Sequence, residues 1–484
     1  MNKKYVDMSP EEFRKYGYEL IDWIANYFEN IESYPALAKI NPGDVKSKLP
    51  ESPPLKPENM KNVFNDIDEI IMPGMTHWNH PKFMAYFNSS GSGPGILAEL
   101  LSGAFNINGM LWKSSPASTE LEEVMMNWLR QMIGLPENFW GIIYDGGSAS
   151  TLHGIAMAKE NIEGADFRLK GMSGRSDTKR LRLYQSEHAH SSVERAAITL
   201  GLGIKGVKKI PVNEKFELIS SELKKAIEED RRNGWLPFCV VGTIGTTSST
   251  AIDPIPEISK ICKEENLWLH VDAAHAGSAA ILPEMKYILN GCEEADSFYF
   301  NPHKWMFVPI DVSAFYTKHP DVLRRTFSIV AEYLKTEHDT NAVNHMDYGI
   351  QLGRRFRSLK LWFLIRYFGV EGIQNIIREH LRLGEIVEKW VLESDQFELL
   401  APVNFSTICF RAIPQTLQTD EQLNSFNEKL LEKINQTGEF FLTHTKLNGK
   451  FTIRIVISGL RTTEKHVQQV WQHILKCYKE IEAS

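Results

Sequence analysis

Leu267-Trp-Leu-His-Val-Asp272 and Ser297-Phe-Tyr-Phe-Asn301-Pro302-His303-Lys304-Trp305 are two short apolar runs that each stop on polar residues. Their strand portions, Leu267–Val271 and Ser297–Phe300, are almost continuously apolar. Such runs are strands buried on both faces, as in a parallel sheet covered by helices. The pattern recurs through the middle of the chain. Gly141–Tyr144, Leu181–Tyr184, Phe238–Ile244 and Val312–Tyr316 read as further strands. Glu120–Ile133, Thr151–Glu160 and Ile255–Glu264 read as helices between them. The alternation predicts an α/β domain on a mostly parallel sheet.

The flanks differ from this centre. Ser9-Pro10-Glu11-Glu12 combines an N-cap, a proline at the first helical position and a glutamate at the third. Phe13, Leu20, Ile21, Ile24, Tyr27, Phe28 and Ile31 then form a helical stripe. Pro50–Pro57 reads as a linker. After a helix-rich stretch, Ser358–Leu392, come two alternating strands, Ser406–Arg411 and Phe451–Ile457. The expected division is an N-terminal helical arm (1–88), a large domain (89–362) and a small C-terminal α+β domain (363–484).

The chain has 484 residues, with 54 Lys+Arg against 61 Asp+Glu and a net charge of −7, which argues against a dominant nucleic-acid surface. Its five cysteines are scattered and odd in number, so neither a disulfide framework nor a metal ribbon is expected. Nothing reads as a signal peptide or a membrane span. The expectation is a cytoplasmic protein with no nucleic-acid or membrane partner.

In open α/β sheets ligands bind at the carboxyl ends of strands, and four strand ends here carry unusual polar residues. Gly146-Gly147-Ser148-Ala149-Ser150-Thr151 lies between a strand and a helix and suits a phosphate, although it also fits an ordinary capped turn. Asp272 ends an apolar strand, where a carboxylate needs a cationic partner or a helix to cap. Lys304 lies among aromatic residues, where desolvation would free its amine; a surface-reaching lysine is the plain alternative. His188-Ala-His190 lies just past the Leu181–Tyr184 strand. One His-x-His with no supporting cysteines or carboxylates is a weak metal signal, so no metal is expected. Asp272 precedes Lys304 by 32 residues, room for one helix and a return strand. A phosphate cradle, a carboxylate, a lysine and a histidine together are what pyridoxal phosphate requires.

The residues carrying that chemistry resemble the group II pyridoxal-phosphate decarboxylases, most closely the aromatic-L-amino-acid decarboxylases. The resemblance rests on His270-Val-Asp272-Ala-Ala, Asn301-Pro302-His303-Lys304-Trp305, His190-Ser-Ser-Val-Glu-Arg195 and Gly353-Arg-Arg-Phe-Arg-Ser-Leu-Lys360, and extends over nearly the whole chain. It implies a fold-type-I, aspartate-aminotransferase-like homodimer with shared active sites and pyridoxal 5′-phosphate as cofactor. It implies Lys304 as the Schiff-base lysine and Asp272 as the partner of the ring nitrogen. Ala274 and His190 would take the two ring faces, and His190 would also contact the substrate carboxylate. Ser148, Ala149, Ser150, Asn301 and His303 would anchor the phosphate, with Thr247 a further contact.

The segment Thr326–His345 reads as a mobile loop. By resemblance it closes over the site and carries Tyr333, which protonates the substrate Cα. Related aldehyde synthases have Phe there. Trp78, Tyr86 and Phe87 match aromatic pocket residues, and Gly353 leaves room for a bulky ring, which disfavours histidine as substrate. Ser89, Asn108, Met110, His188 and His275 depart from the animal dopa decarboxylases, with 108 and 110 at positions that reach across from the partner subunit. These departures leave phenylalanine, tyrosine, dopa, tryptophan and 5-hydroxytryptophan all as candidates. The expected function is decarboxylation of aromatic L-amino acids. An oxidative aldehyde synthase, a decarboxylase of other amino acids and a non-enzymatic binding protein are the rivals.

Overall fold

The computed structural model describes residues 7–329 and 342–483. Leu267–Asp272 and Ser297–Phe300 lie at the centre of a seven-stranded sheet. Its strands are β1 (Trp140–Tyr144), β2 (Arg180–Ser186), β3 (Val207–Ile210), β4 (Trp235–Thr243), β5 (Trp268–Asp272), β6 (Ser297–Phe300) and β7 (Ser313–Thr317). The order is β1-β7-β6-β5-β4-β2-β3, parallel except that β7 runs against β1 and β6. Every residue of β5, β6 and β7 is buried, as the continuous apolar runs require. Register sets Thr243, Asp272 and Tyr299 side by side at the carboxyl ends of β4, β5 and β6.

The strand β3 is absent from the sequence reading because Val-Lys-Lys-Ile is half charged, as is common at a sheet edge. The connection from β5 to β6 is not the expected helix. It is three 3₁₀ segments, Ala276–Ile281, Pro283–Leu289 and Cys292–Glu294. Pro283 and Gly291 interrupt it, the latter in the left-handed region at φ 85°.

The N-terminal helix, Pro10–Glu29, starts with the full capping box of Ser9 and Glu12. It buries no residue; Phe13 and Ile21 of its apolar stripe are exposed, and so is Tyr18. The long helix Ser358–Leu392 is broken at Gly369 (φ 65°, ψ 171°). Leu361 and Leu364 before the break and Ile373 and Ile377 after it pack into the large core; further on, Leu383, Val387 and Val391 pack into a second one. That second core lies on an antiparallel sheet of β8 (Phe397–Leu399), β9 (Thr407–Ala412), β10 (Thr443–Leu447) and β11 (Lys450–Val456), ordered β10-β11-β9-β8. The segment read as one loop, Thr326–His345, begins at the end of a helix (Pro320–Phe327) and finishes at the start of a 3₁₀ turn (His345–Tyr348). Tyr333 lies outside the described residues.

Candidate active site

A cavity of ≈ 490 Å³ opens where the carboxyl ends of β4, β5 and β6 meet the start of the helix Gly147–Glu160. At its floor Asp272, 4% exposed, accepts the N–H of Ala274 on Oδ1 (3.0 Å). Lys304 follows β6 through Asn301, whose carbonyl accepts the Lys304 N–H (2.9 Å). No carboxylate lies within 4 Å of Lys304 Nζ among the described residues. Burial lowers the pKa of its amine, with the charge of Asp272 opposing. Nζ sits 5.2 Å from the centre of the Phe87 ring.

His190 lines the same cavity from the loop after β2. Its Nδ1 accepts the Ser192 N–H (3.1 Å), which a protonated ring could not do. Burial lowers its pKa, opposed by Asp272 and aided by Lys304 and Arg195. The ring is therefore neutral with its proton on Nε2. His303 repeats the device. Its Nδ1 accepts the Val312 N–H (2.9 Å), and burial, followed by the charge of Lys304, brings its pKa down to about 4.

The phosphate-sized end of the cavity is built by Gly146, Gly147, Ser148 and Ala149. Gly147 is required by close approach: a Cβ there would stand 2.9 Å from Asn301 Nδ2 and 3.0 Å from the Tyr299 ring. Thr247, Ala274, Asn301 and His303 line the cavity as well. Ser150 does not. Its hydroxyl is buried against Ser313 Oγ (2.7 Å), because a residue one turn into the helix faces the sheet rather than the mouth.

Of the expected substrate residues, Phe87 and His190 line the cavity. Phe87 is stacked on His275 (4.0 Å, 9°), which is stacked on Trp305 (4.8 Å, 4°). Trp78 and Tyr86 stack on each other (5.8 Å, 14°) but are not in this wall, and neither is Ser89. Asn108, Met110 and Gly353 form a cluster of their own: Asn108 Nδ2 lies 3.6 Å from Met110 Sδ and 3.5 Å from where a Gly353 Cβ would stand. They do not line the cavity of their own chain.

Two functional candidates escaped the sequence reading. Tyr299 lies beside Asp272; its hydroxyl accepts from Thr151 Oγ1 (3.2 Å), and burial with the neighbouring carboxylate holds the phenol protonated. Strand alternation in Ser-Phe-Tyr-Phe, which turns Tyr299 away from Phe298 and Phe300, is the signal for it. Arg454 is 4% exposed, lies 5.6 Å from the Phe87 ring centre and leaves Nη2 without a partner. An arginine inside the apolar run of β11 is the corresponding signal.

The cavity fits pyridoxal phosphate. Asn301 Oδ1 is buried there without a partner, the glycine cradle is open at Gly146, and amine and carboxylate share one floor. Among the described residues no three metal-ligating side chains cluster.

Residues 42–413 match the family profile described as the pyridoxal-dependent decarboxylase conserved domain. The chain is 39% identical over 478 residues to the aromatic-L-amino-acid decarboxylase of Sus scrofa, covering 96% of each chain. It is also 39% identical over 477 residues to a phenylacetaldehyde synthase of a Rosa hybrid cultivar, covering 96% of this chain and 93% of the relative. The crystal structure of Oryza sativa TDC with PLP and tryptamine superposes with a TM-score of 0.95 at 32% identity, over 99% of this chain and 100% of the other. By its profile match, its relatives and the furnishing of its cavity, this chain belongs to the pyridoxal-dependent decarboxylase family.

Proposed function

We propose that this protein decarboxylates aromatic L-amino acids, releasing the arylalkylamine and CO₂, as a cytoplasmic homodimer. The observation that carries the reading is the meeting of Lys304, Asp272 and His190 at strand ends around one cavity. When bound, pyridoxal phosphate supplies an aldehyde for an amine to condense with and a ring that takes up the electron pair left as CO₂ departs. Lys304, with its pKa lowered, offers a free lone pair more often at neutral pH than a surface lysine does. Asp272 would hold a proton on the ring nitrogen. Ala274 and His190 would cover the ring faces. Ser148, Ala149, Asn301, His303 and Thr247 would surround the phosphate end.

His190 presents Nε2–H because Nδ1 is already committed to Ser192. That donor suits the substrate carboxylate before the bond breaks, and a neutral donor leaves it free to depart as neutral CO₂. Phe87, stiffened by the stack behind it, supplies an aromatic wall for the substrate ring. We assign Tyr333, in Glu332-Tyr-Leu-Lys335, to protonation of the substrate Cα.

The homodimer is supported by exposed apolar residues on two helices, Phe13, Tyr18 and Ile21 on Pro10–Glu29 and Leu97, Leu100 and Phe105 on Gly93–Phe105. In that dimer Asn108 and Met110 would complete the partner's pocket. The cytoplasmic assignment is supported by five cysteines that are all free and buried.

A second reading, oxidative aldehyde formation, is favoured by the rose relative. Tyr333 in place of Phe favours the amine. Assaying CO₂ and amine against aldehyde, ammonia and peroxide separates the two. Tyr333→Phe should slow amine release by roughly 10²-fold or more, as loss of a general acid does, and admit aldehyde. Unchanged rate and products would remove Tyr333 from the mechanism.

A further inference from the structure

We infer that the buried pair Glu122–Arg354 is a positioning device for the phosphate cradle, standing in for a missing strand at the edge of the large sheet. The inference rests on reading the cavity as the cofactor site. Strand β1 delivers the cradle, since Asp145, Gly146 and Gly147 follow it directly. It is an edge strand with one neighbour, β7. The backbone groups of Ile143 that face away from β7 would be left unpaired and buried, at a cost.

Two side chains take them up. Glu122 Oε1 accepts the Ile143 N–H (2.9 Å), and Arg354 Nη2 donates to the Ile143 carbonyl (2.7 Å). The carboxylate and guanidinium also bind each other at 2.6 Å. The donor–acceptor pairing of an adjacent strand is thereby reproduced by one ion pair. Burial would raise the pKa of Glu122, but Arg354, His345 and the Ile143 N–H outweigh it, so the carboxylate is ionised. Arg354 is fixed at its other end as well: its N–H donates to Asn108 Oδ1 (2.9 Å) and its carbonyl accepts from Gly109 (2.8 Å). Next along the chain, Gln351 Nε2 donates to Asp145 Oδ2 (2.8 Å), and the Ile350 N–H to His153 Nε2 (3.2 Å). The segment 350–354 is thus bolted to the end of β1 and to the helix that begins in the cradle. Neither Glu122 nor Arg354 lines the cavity, so neither is a catalytic residue.

The test is the dissociation constant of pyridoxal phosphate, titrated into cofactor-free protein by absorbance and by the rise in Tm that the cofactor induces. The variants are Glu122→Gln, Arg354→Lys and the double variant Glu122→Met with Arg354→Met. Glu122→Gln leaves the buried guanidinium without a counter-charge. Arg354→Lys keeps the charge but loses the fork that reaches both Glu122 and Ile143. The double variant removes both charges together, which preserves folding where a single removal does not. Affinity should weaken roughly 10–100-fold, by analogy with the range seen when an outer supporting group is removed from a metal ion's ligands. Saturating cofactor should restore most of kcat, and Arg355→Ala, which removes an exposed partner of Glu99, should leave affinity unchanged. If a single variant does not fold, the double variant decides. Cofactor affinity equal to that of the unsubstituted protein in folded variants would overturn the inference. Failure of the unsubstituted protein to bind pyridoxal phosphate would overturn the reading of the cavity instead.

Discussion

Protonation at three side chains sets what the cavity can do. In the proposed mechanism Lys304 acts through a free amine, His190 through a proton on Nε2, and Asp272 through its carboxylate. Lys304→Ala should reduce amine release by on the order of 10⁴-fold or more, as when a nucleophile acting in a unit is removed, together with the visible absorbance of lysine-bound cofactor. Near-normal turnover would remove Lys304 from the chemistry. The pH dependence follows from His190. Its pKa is lowered from the ordinary 6.5, and its bond from Ser192 needs the neutral ring. The acid limb of kcat/KM due to this group should therefore lie below pH 6.5, and His190→Gln should remove it. An acid limb above pH 6.5 that survives in the variant would contradict the assignment. These side chains were legible in sequence because strong chemistry at strand ends stands out against apolar runs. Ser150 is expected at the phosphate, yet its hydroxyl turns onto Ser313 Oγ, because a hydroxyl in a small-residue turn says nothing about which way the helix rotates it. Tyr299 was missed because a tyrosine inside an apolar strand passes for core.

Helices and strands carry these groups into register. The pairing of β4, β5 and β6 sets Thr243, Asp272 and Tyr299 level, and the continuous apolar character of those strands makes their place in the sheet readable. Two of the edge strands were not readable. Val207–Ile210 carries an exposed Lys209, and Thr443–Leu447 carries exposed His444 and Lys446, which erases the apolar signal. The connection before β6 was misjudged because its spacing fits a helix while Pro283 and Gly291 forbid one. The break at Gly369 is a backbone requirement alone: φ 65° with ψ 171° is a region open to glycine, and a Cβ there would meet nothing within 4 Å. Gly369→Ala should therefore cost about 1–3 kcal/mol, measured by denaturant unfolding. A change below about 0.5 kcal/mol, the size of an ordinary surface substitution, would mean the helix straightens without penalty.

Among the described residues, several buried histidines are held neutral. His80, His153, His270, His303, His345 and His380 all have pKa values lowered from 6.5 to about 4, chiefly by burial. Between pH 6.5 and about 4 the unfolded chain binds protons at these sites and the folded chain does not. Stability must then rise with pH across that window and fall as pH drops through it. Tm of the cofactor-free protein should decline from pH 6.5 towards pH 4, and a flat profile would mean the rings are hydrated in solution. The division of the chain into arm, sheet domain and small domain was expected from composition shifts, yet the helix Ser358–Leu392 serves both cores. Periodicity shows that a helix exists but not which core each half packs against. The proposed contribution of Asn108 and Met110 to a partner's pocket is the least legible feature, since nothing in their local pattern points outward.

Product analysis separates the proposed decarboxylation from its rivals. The holoenzyme is incubated with phenylalanine, tyrosine, dopa, tryptophan and 5-hydroxytryptophan, and CO₂, amine, aldehyde, ammonia and peroxide are quantified for each. Amine and CO₂ are expected in equal amounts from at least one of these substrates, and both should be lost in Lys304→Ala. Aldehyde with ammonia and peroxide as the main products, or no turnover of any aromatic substrate by cofactor-loaded protein, would contradict the proposed decarboxylation.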